Sequence, residues 1–98
     1  KDYDNALKSI QEAGLNTAEM RAAYQKVAYF RGVEYYNSLK LDKAIGLFNE
    51  SVKYPINTTY LALARYWTSE ALFKQKKYAE ALESISKFQA TPGAINLT

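Results

Sequence analysis

The sequence predicts an all-α chain of about five helices, arranged as antiparallel pairs. Three observations lead there. Apolar residues recur at helical spacing along the whole chain, with no alternating strand pattern to compete. One amphipathic octapeptide occurs three times, as YDNALKSI at residues 3–10, LDKAIGLF at 41–48 and YAEALESI at 78–85. A single offset of 37 residues then pairs Phe30 with Trp67, Tyr36 with Phe73, Ala44 with Ala81, Phe48 with Ile85 and Pro55 with Pro92. A fixed period of this length marks a unit that buries its apolar face against its neighbours.

The elements follow in order. Tyr3, Ala6, Leu7 and Ile10 form one apolar face, and Gly14 stops that helix, so residues 3–14 read as the second helix of a truncated repeat. A long helix is predicted from about Thr17 to Leu39, with Thr17 as its N-cap. Leu41, Ala44, Ile45, Phe48 and Val52 give the next apolar face, which Pro55 ends, completing a repeat over 17–54. The second repeat, 58–92, begins with a helix from about Thr58 to Lys76, capped by Thr58 or Thr59. It continues with Tyr78, Ala81, Leu82, Ile85 and Phe88 on one face and stops at Pro92 and Gly93. Breaks as short as 39–41 and 75–78 make the helices they join antiparallel neighbours. Close approach within each pair is expected where Gly32 lies opposite Ala44 and Ser69 opposite Ala81.

Composition narrows the chemistry. The chain has no Cys and no His, which removes disulfides, thiol nucleophiles and the commonest metal ligand and general base. No phosphate-binding glycine loop, dinucleotide fingerprint or nucleophile elbow is present. Glu34 and Glu70 occupy apolar stretches, but each has a helical pairing partner in the sequence, Arg31 and Lys74 respectively. No enzyme, metal or cofactor is therefore expected. The net charge of +3 is spread along the chain, and its tightest basic cluster, Lys74, Lys76 and Lys77, sits at a turn, so nucleic acid is not the expected partner. No apolar run reaches the roughly 20 residues of a membrane span, so no membrane insertion is expected of this segment. The chain opens at Lys1 inside a helical pattern and reads as a single segment of a longer protein. Asn57-Thr58-Thr59 and Asn96-Leu97-Thr98 match the glycosylation sequon, a pattern too short to carry an argument.

Gly32, Tyr35, Ala44, Phe48 and Pro55 stand at the spacing of the Gly, Tyr, Ala, aromatic and Pro positions of the tetratricopeptide repeat (TPR), which the chain resembles over nearly its whole length. The second unit, ARYWTSEALFKQKKYAEALESI, resembles the same pattern with Ser69 for Gly and Leu72 for Tyr. Arg31 and Thr68 stand where the pattern usually has Leu, and Phe88 where it has a small residue. The resemblance implies a right-handed α-α superhelix. The run KYPINTTYLALARYWTSEAL is similar to TPR proteins of bacterial cell envelopes, the Tol–Pal coordinator and outer-membrane assembly proteins among them. YQKVAYFRGVEYYN is similar to long TPR proteins of Bacteroidetes envelopes, and a periplasmic or envelope location is the expectation that follows.

The same resemblance implies a function in protein binding. First helices of successive pairs line a groove, which here places Lys26, Tyr29, Val33, Tyr36, Asn37, Leu63, Tyr66, Glu70, Phe73 and Lys74 on its wall. A peptide or helix of an envelope protein is the partner expected there. The carboxylate clamp that some TPR domains build from Lys and Asn is not expected, because Tyr29 and Val33 occupy those positions. Aromatic stripes at helical spacing also serve as buried core, so the Tyr and Phe positions carry both readings. The alternative function is structural: a spacer or self-association unit of a longer solenoid, without its own ligand.

Overall fold

A computed structural model describes residues 2–94, and the second sequon, Asn96-Leu97-Thr98, lies outside them. The described residues form five α-helices: α1 (Tyr3–Glu12), α2 (Ala18–Asn37), α3 (Leu41–Val52), α4 (Thr58–Lys74) and α5 (Tyr78–Gln89). The all-α prediction holds, with element positions close to those read from the apolar periodicity. None of the described helices is long and apolar enough to cross a membrane.

Local chemistry sets the boundaries. Asp2 caps α1 by accepting from the Asn5 amide, and α1 ends before Gly14, whose φ of +96° only glycine adopts without strain. The Thr17 hydroxyl accepts from the Met20 amide at 3.1 Å, as the sequence predicts for an N-cap. The α4 cap differs from the prediction. Asn57, not Thr58 or Thr59, accepts from the Tyr60 amide, at 3.0 Å, and Thr58 is already helical. Gln25 is the reason. Fully buried in α2, its carboxamide donates to the Asn57 carbonyl and accepts from the Asn57 amide, both at 2.8 Å, and so fixes that residue's backbone.

The turns after α2 and α4 are copies of each other. Leu39 (φ 61°) and Lys76 (φ 63°) take left-handed backbone, and the amides of Lys40 and Lys77 reach back to the carbonyls of Tyr35 and Leu72. This tight closure ends α2 at Asn37, two residues before the predicted Leu39.

Each helix packs on the one that follows it in the chain, and α2 also touches α4, while the backbones of α1, α3 and α5 stay apart from one another. The body measures 37 × 28 × 19 Å, and its short dimension is that of two helix layers. The central core joins three helices through Tyr29, Ala44, Phe48 and Ala64. A second cluster holds α1 to α2 through Leu7, Tyr24 and Ala28, and a third gathers Ala62, Phe88 and Ala94. Gly32 does allow a close approach, but the group it admits is the Phe48 ring rather than Ala44. A Cβ at Gly32 would stand 2.6 Å from Phe48 Cε1.

The departures from the repeat pattern each have a local use. Arg31 reaches across to α1, donating to both Asp4 oxygens at 2.9 and 3.1 Å, and it also pairs with Glu34 as expected from the sequence. The Asp4 hydrogen bond raises the guanidinium pKa further above its ordinary value. Thr68 bonds back to the Ala64 carbonyl, and Phe88 fills the space beside Ala62.

Candidate functional site

Helices α2 and α4 carry all ten residues that the sequence places on the groove wall, and the structure divides them into three groups. Tyr29 belongs to the core. It is 7% exposed, with its ring centroid 6.0 Å from Phe48 and 5.4 Å from Tyr60. This corrects the groove assignment at that position. Both α3 and α4 pack on α2 at this level, so no side of the Tyr29 ring faces solvent. Val33 and Leu63 are half-buried against the same cluster. Lys26 and Asn37 are exposed and join no side-chain hydrogen bond or ion pair among the described residues.

Of the remaining five, four join across the two helices through Trp67, and Phe73 stands beside them on α4. The Tyr36 ring lies 5.1 Å from Trp67, which in turn meets Tyr66 edge-on at 5.1 Å. Lys74 holds its ammonium 5.7 Å from the Tyr36 ring centre, within range of a cation–π attraction. The Tyr66 hydroxyl donates to Glu70 Oε1 at 2.9 Å. That bond raises the Tyr66 phenol pKa, because it favours the protonated form, and burial adds to it. The pairing of Glu70 with Lys74 predicted from their spacing is not formed. Each has taken an aromatic partner instead, Tyr66 for Glu70 and Tyr36 for Lys74. Phe73 is 59% exposed and touches only the Tyr78 ring, at 5.4 Å, among the described aromatic residues.

Phe73 and Glu70 also border an open apolar cavity of about 480 Å³, closed on its other side by Tyr78, Ala81, Leu82 and Ile85 of α5. Sequence reasoning missed this feature. It assigns Tyr78, Ala81, Leu82, Ile85 and Phe88 to one packed face, whereas the buried positions of α5 are Ala81, Ser84 and Phe88. Tyr78 and Leu82 remain 52% and 67% exposed. Trp67 was also missed as a site residue, although its register with Phe30 already marks it as part of the repeat.

Among the described residues, no group of three Asp or Glu side chains is placed to hold a metal ion. The geometry offers aromatic rings tilted against one another and edged by one carboxylate and one ammonium. The class defined by the fold and this surface is an all-α protein of helical hairpins with an aromatic face. Comparison of the chain with family models, with curated proteins and with solved structures finds no match.

Proposed function

We propose that the chain is a protein-interaction scaffold of tetratricopeptide type, docking a peptide or helix of another protein along the α2–α4 side. The supporting observation is the joined cluster of Tyr36, Trp67, Tyr66, Glu70 and Lys74, which spans both first helices while staying partly open to solvent. Aromatic rings of this kind supply contact area at low entropic cost, and their polar tips tolerate water at a rim. The 37-residue repeat and the direct contact of α2 with α4 support the tetratricopeptide reading. The likeness to envelope repeat proteins in KYPINTTYLALARYWTSEAL supports a partner in the bacterial cell envelope.

The test is site-specific photo-crosslinking with the probe at position 36, compared with a probe at Glu83 on α5. A single envelope protein captured from position 36, and lost when Lys74→Glu is introduced with unchanged helicity, is the expected result. Equal capture from both positions, or capture indifferent to Lys74→Glu, sinks the proposal.

A further inference from the structure

A second cleft, of about 380 Å³, runs between α3 and α5, with the Arg65–Thr68–Leu72 stripe of α4 as its floor. Both walls belong to the chain, so this cleft does not lie at an end of the helix array. The corresponding groove one unit earlier, between α1 and α3 over α2, is covered by no later helix, since α1 packs on α2 alone among the described helices. That earlier groove is filled by its own side chains. Arg31 crosses it to Asp4 and also bonds Glu34 and the Tyr35 hydroxyl, while Lys43 stands 5.6 Å from the Tyr35 ring centre. Leu47 packs beside Leu7, Tyr24 and Ala28, and Glu50 accepts from Tyr24. Each of these charged groups has a partner.

Moving forward by 37 residues turns Arg31, Tyr35 and Leu47 into the smaller Thr68, Leu72 and Ser84, which opens the groove. The same step turns Ala28, Lys43 and Glu50 into Arg65, Glu80 and Lys87. These new charges, and Glu83 beside them, form no ion pair with one another or with any other described residue. Arg65 is nevertheless held in place. Its carbonyl accepts from Ser84 at 3.1 Å, and its Nη1 donates to the buried Thr91 hydroxyl at 2.7 Å. The rest of its donor fork has no protein acceptor among the described residues.

Charge is graded along the cleft. Arg65 bonds Ser84 and Thr91 toward the C-terminal end of α5, whereas the Leu72 carbonyl accepts from Lys77 just before its start. Arg65 and Lys87 therefore share one end and Glu80 marks the other, seven helical residues or about 10 Å away. Ile45, Val52 and Leu72 supply apolar surface between them. About three extended residues span that length, and the volume suits a ligand of that size. We propose that the α3–α5 cleft binds the C-terminal end of an extended peptide. Its terminal carboxylate sits on Arg65 and Lys87, and a Lys or Arg about two residues earlier faces Glu80 and Glu83. The site is separate from the α2–α4 side and stands independently of the scaffold reading.

The probe is an N-terminally labelled Gly-Gly-Lys-Leu-Val peptide with a free carboxyl end, titrated against the whole chain by fluorescence anisotropy. Its C-terminal amide and a version with Glu in place of Lys are the comparisons. The free acid is expected to bind about tenfold more tightly than the amide, the effect of a charge-assisted hydrogen bond. It should bind about two- to fivefold more tightly than the Glu version, as for an exposed charge pair. Arg65→Gln and Lys87→Glu should each reduce the advantage of the acid over the amide, and Glu80→Lys should remove the preference for Lys. Lys87 and Glu80 are exposed, so these variants are expected to fold, which circular dichroism checks. Amide chemical-shift changes on binding should centre on Asn49, Thr68 and Ser84. Absence of binding up to about 1 mM overturns the inference, as does equal binding of acid and amide. Shift changes centred on Tyr36 and Trp67 overturn it too, while leaving the scaffold reading standing.

Discussion

Gly32→Ala and Gly46→Ala make the same chemical change in two helices and should have opposite signs. Replacing a helical Gly by Ala favours the helix by about 1 kcal/mol. At Gly46 nothing lies within 4 Å of the added methyl, so the full gain is expected. At Gly32 the methyl would meet Phe48 at 2.6 Å from Cε1 and 2.8 Å from Cδ1. Phe48 is fully buried, and its ring is flanked by Tyr29, so it has no free direction in which to swing. Overpacking of this kind costs about 1–3 kcal/mol, and a contact this short belongs to the upper half of that range. Subtracting the propensity gain leaves a net loss of about 1–2 kcal/mol for Gly32→Ala. Urea denaturation followed by circular dichroism measures both variants. In a domain of this size 1 kcal/mol moves the thermal midpoint by roughly 4–8 °C, so the two variants should separate clearly on heating too. Shortening the ring with Phe48→Leu should remove the penalty, giving a coupling of about 1–3 kcal/mol in a double-mutant cycle. Equal stabilisation by both glycine substitutions would refute the close approach of α3 to α2.

Two further outcomes follow from the polar contacts. Gln25→Ala removes both bonds to the Asn57 backbone, and because water reaches Asn57 the loss should fall near about 1–2 kcal/mol. Unchanged urea stability would show that the α4 cap needs no such support. Alkaline pH should weaken the fold through Tyr24, whose phenol is pushed above its ordinary value by burial first and then by the hydrogen bond to Glu50. A folded-state value above the unfolded one means the stabilisation is complete below about pH 10 and declines as pH rises toward the folded value. Tyr29 and Tyr66 shift in the same direction, so Tyr24→Phe should lessen the alkaline decline without abolishing it. Identical slopes for the two chains between about pH 8 and 11 would remove Tyr24 from the account.

Most of the architecture was readable from the sequence because each helix must bury one stripe, and stripes at 3.6-residue spacing survive in the order of the residues. Thr17 was readable as a cap because a cap is a local contact within four residues. What failed was everything set by distant neighbours. Gln25 reads as an ordinary polar residue, and only the loop 32 positions later makes it a core anchor. Its repeat equivalent is Ala62, packed with Ala94, so the repeat itself gave no hint of the contact. Tyr29 and Tyr66 are equivalent by offset, yet one is core and the other half-exposed, because Tyr29 packs on Phe48 of α3 and Tyr60 of α4 while Tyr66 meets Phe88 of α5 and Trp67 of its own helix. The α5 stripe was misread for the same reason. Which side of a two-sided apolar helix is buried depends on whether another helix arrives.

The contact order of the fold has a kinetic consequence. No described helix packs on another more than two places along the chain. The widest side-chain hydrogen bond in the described residues, Gln75 to Asp42, spans 33 positions. Folding therefore never has to close a loop longer than about one repeat, and the entropic cost of each closure stays nearly constant as units are added. The chain can condense from its middle and grow outward. In the reverse direction, α1 and α5 should exchange their amide hydrogens faster than α2, α3 and the first half of α4.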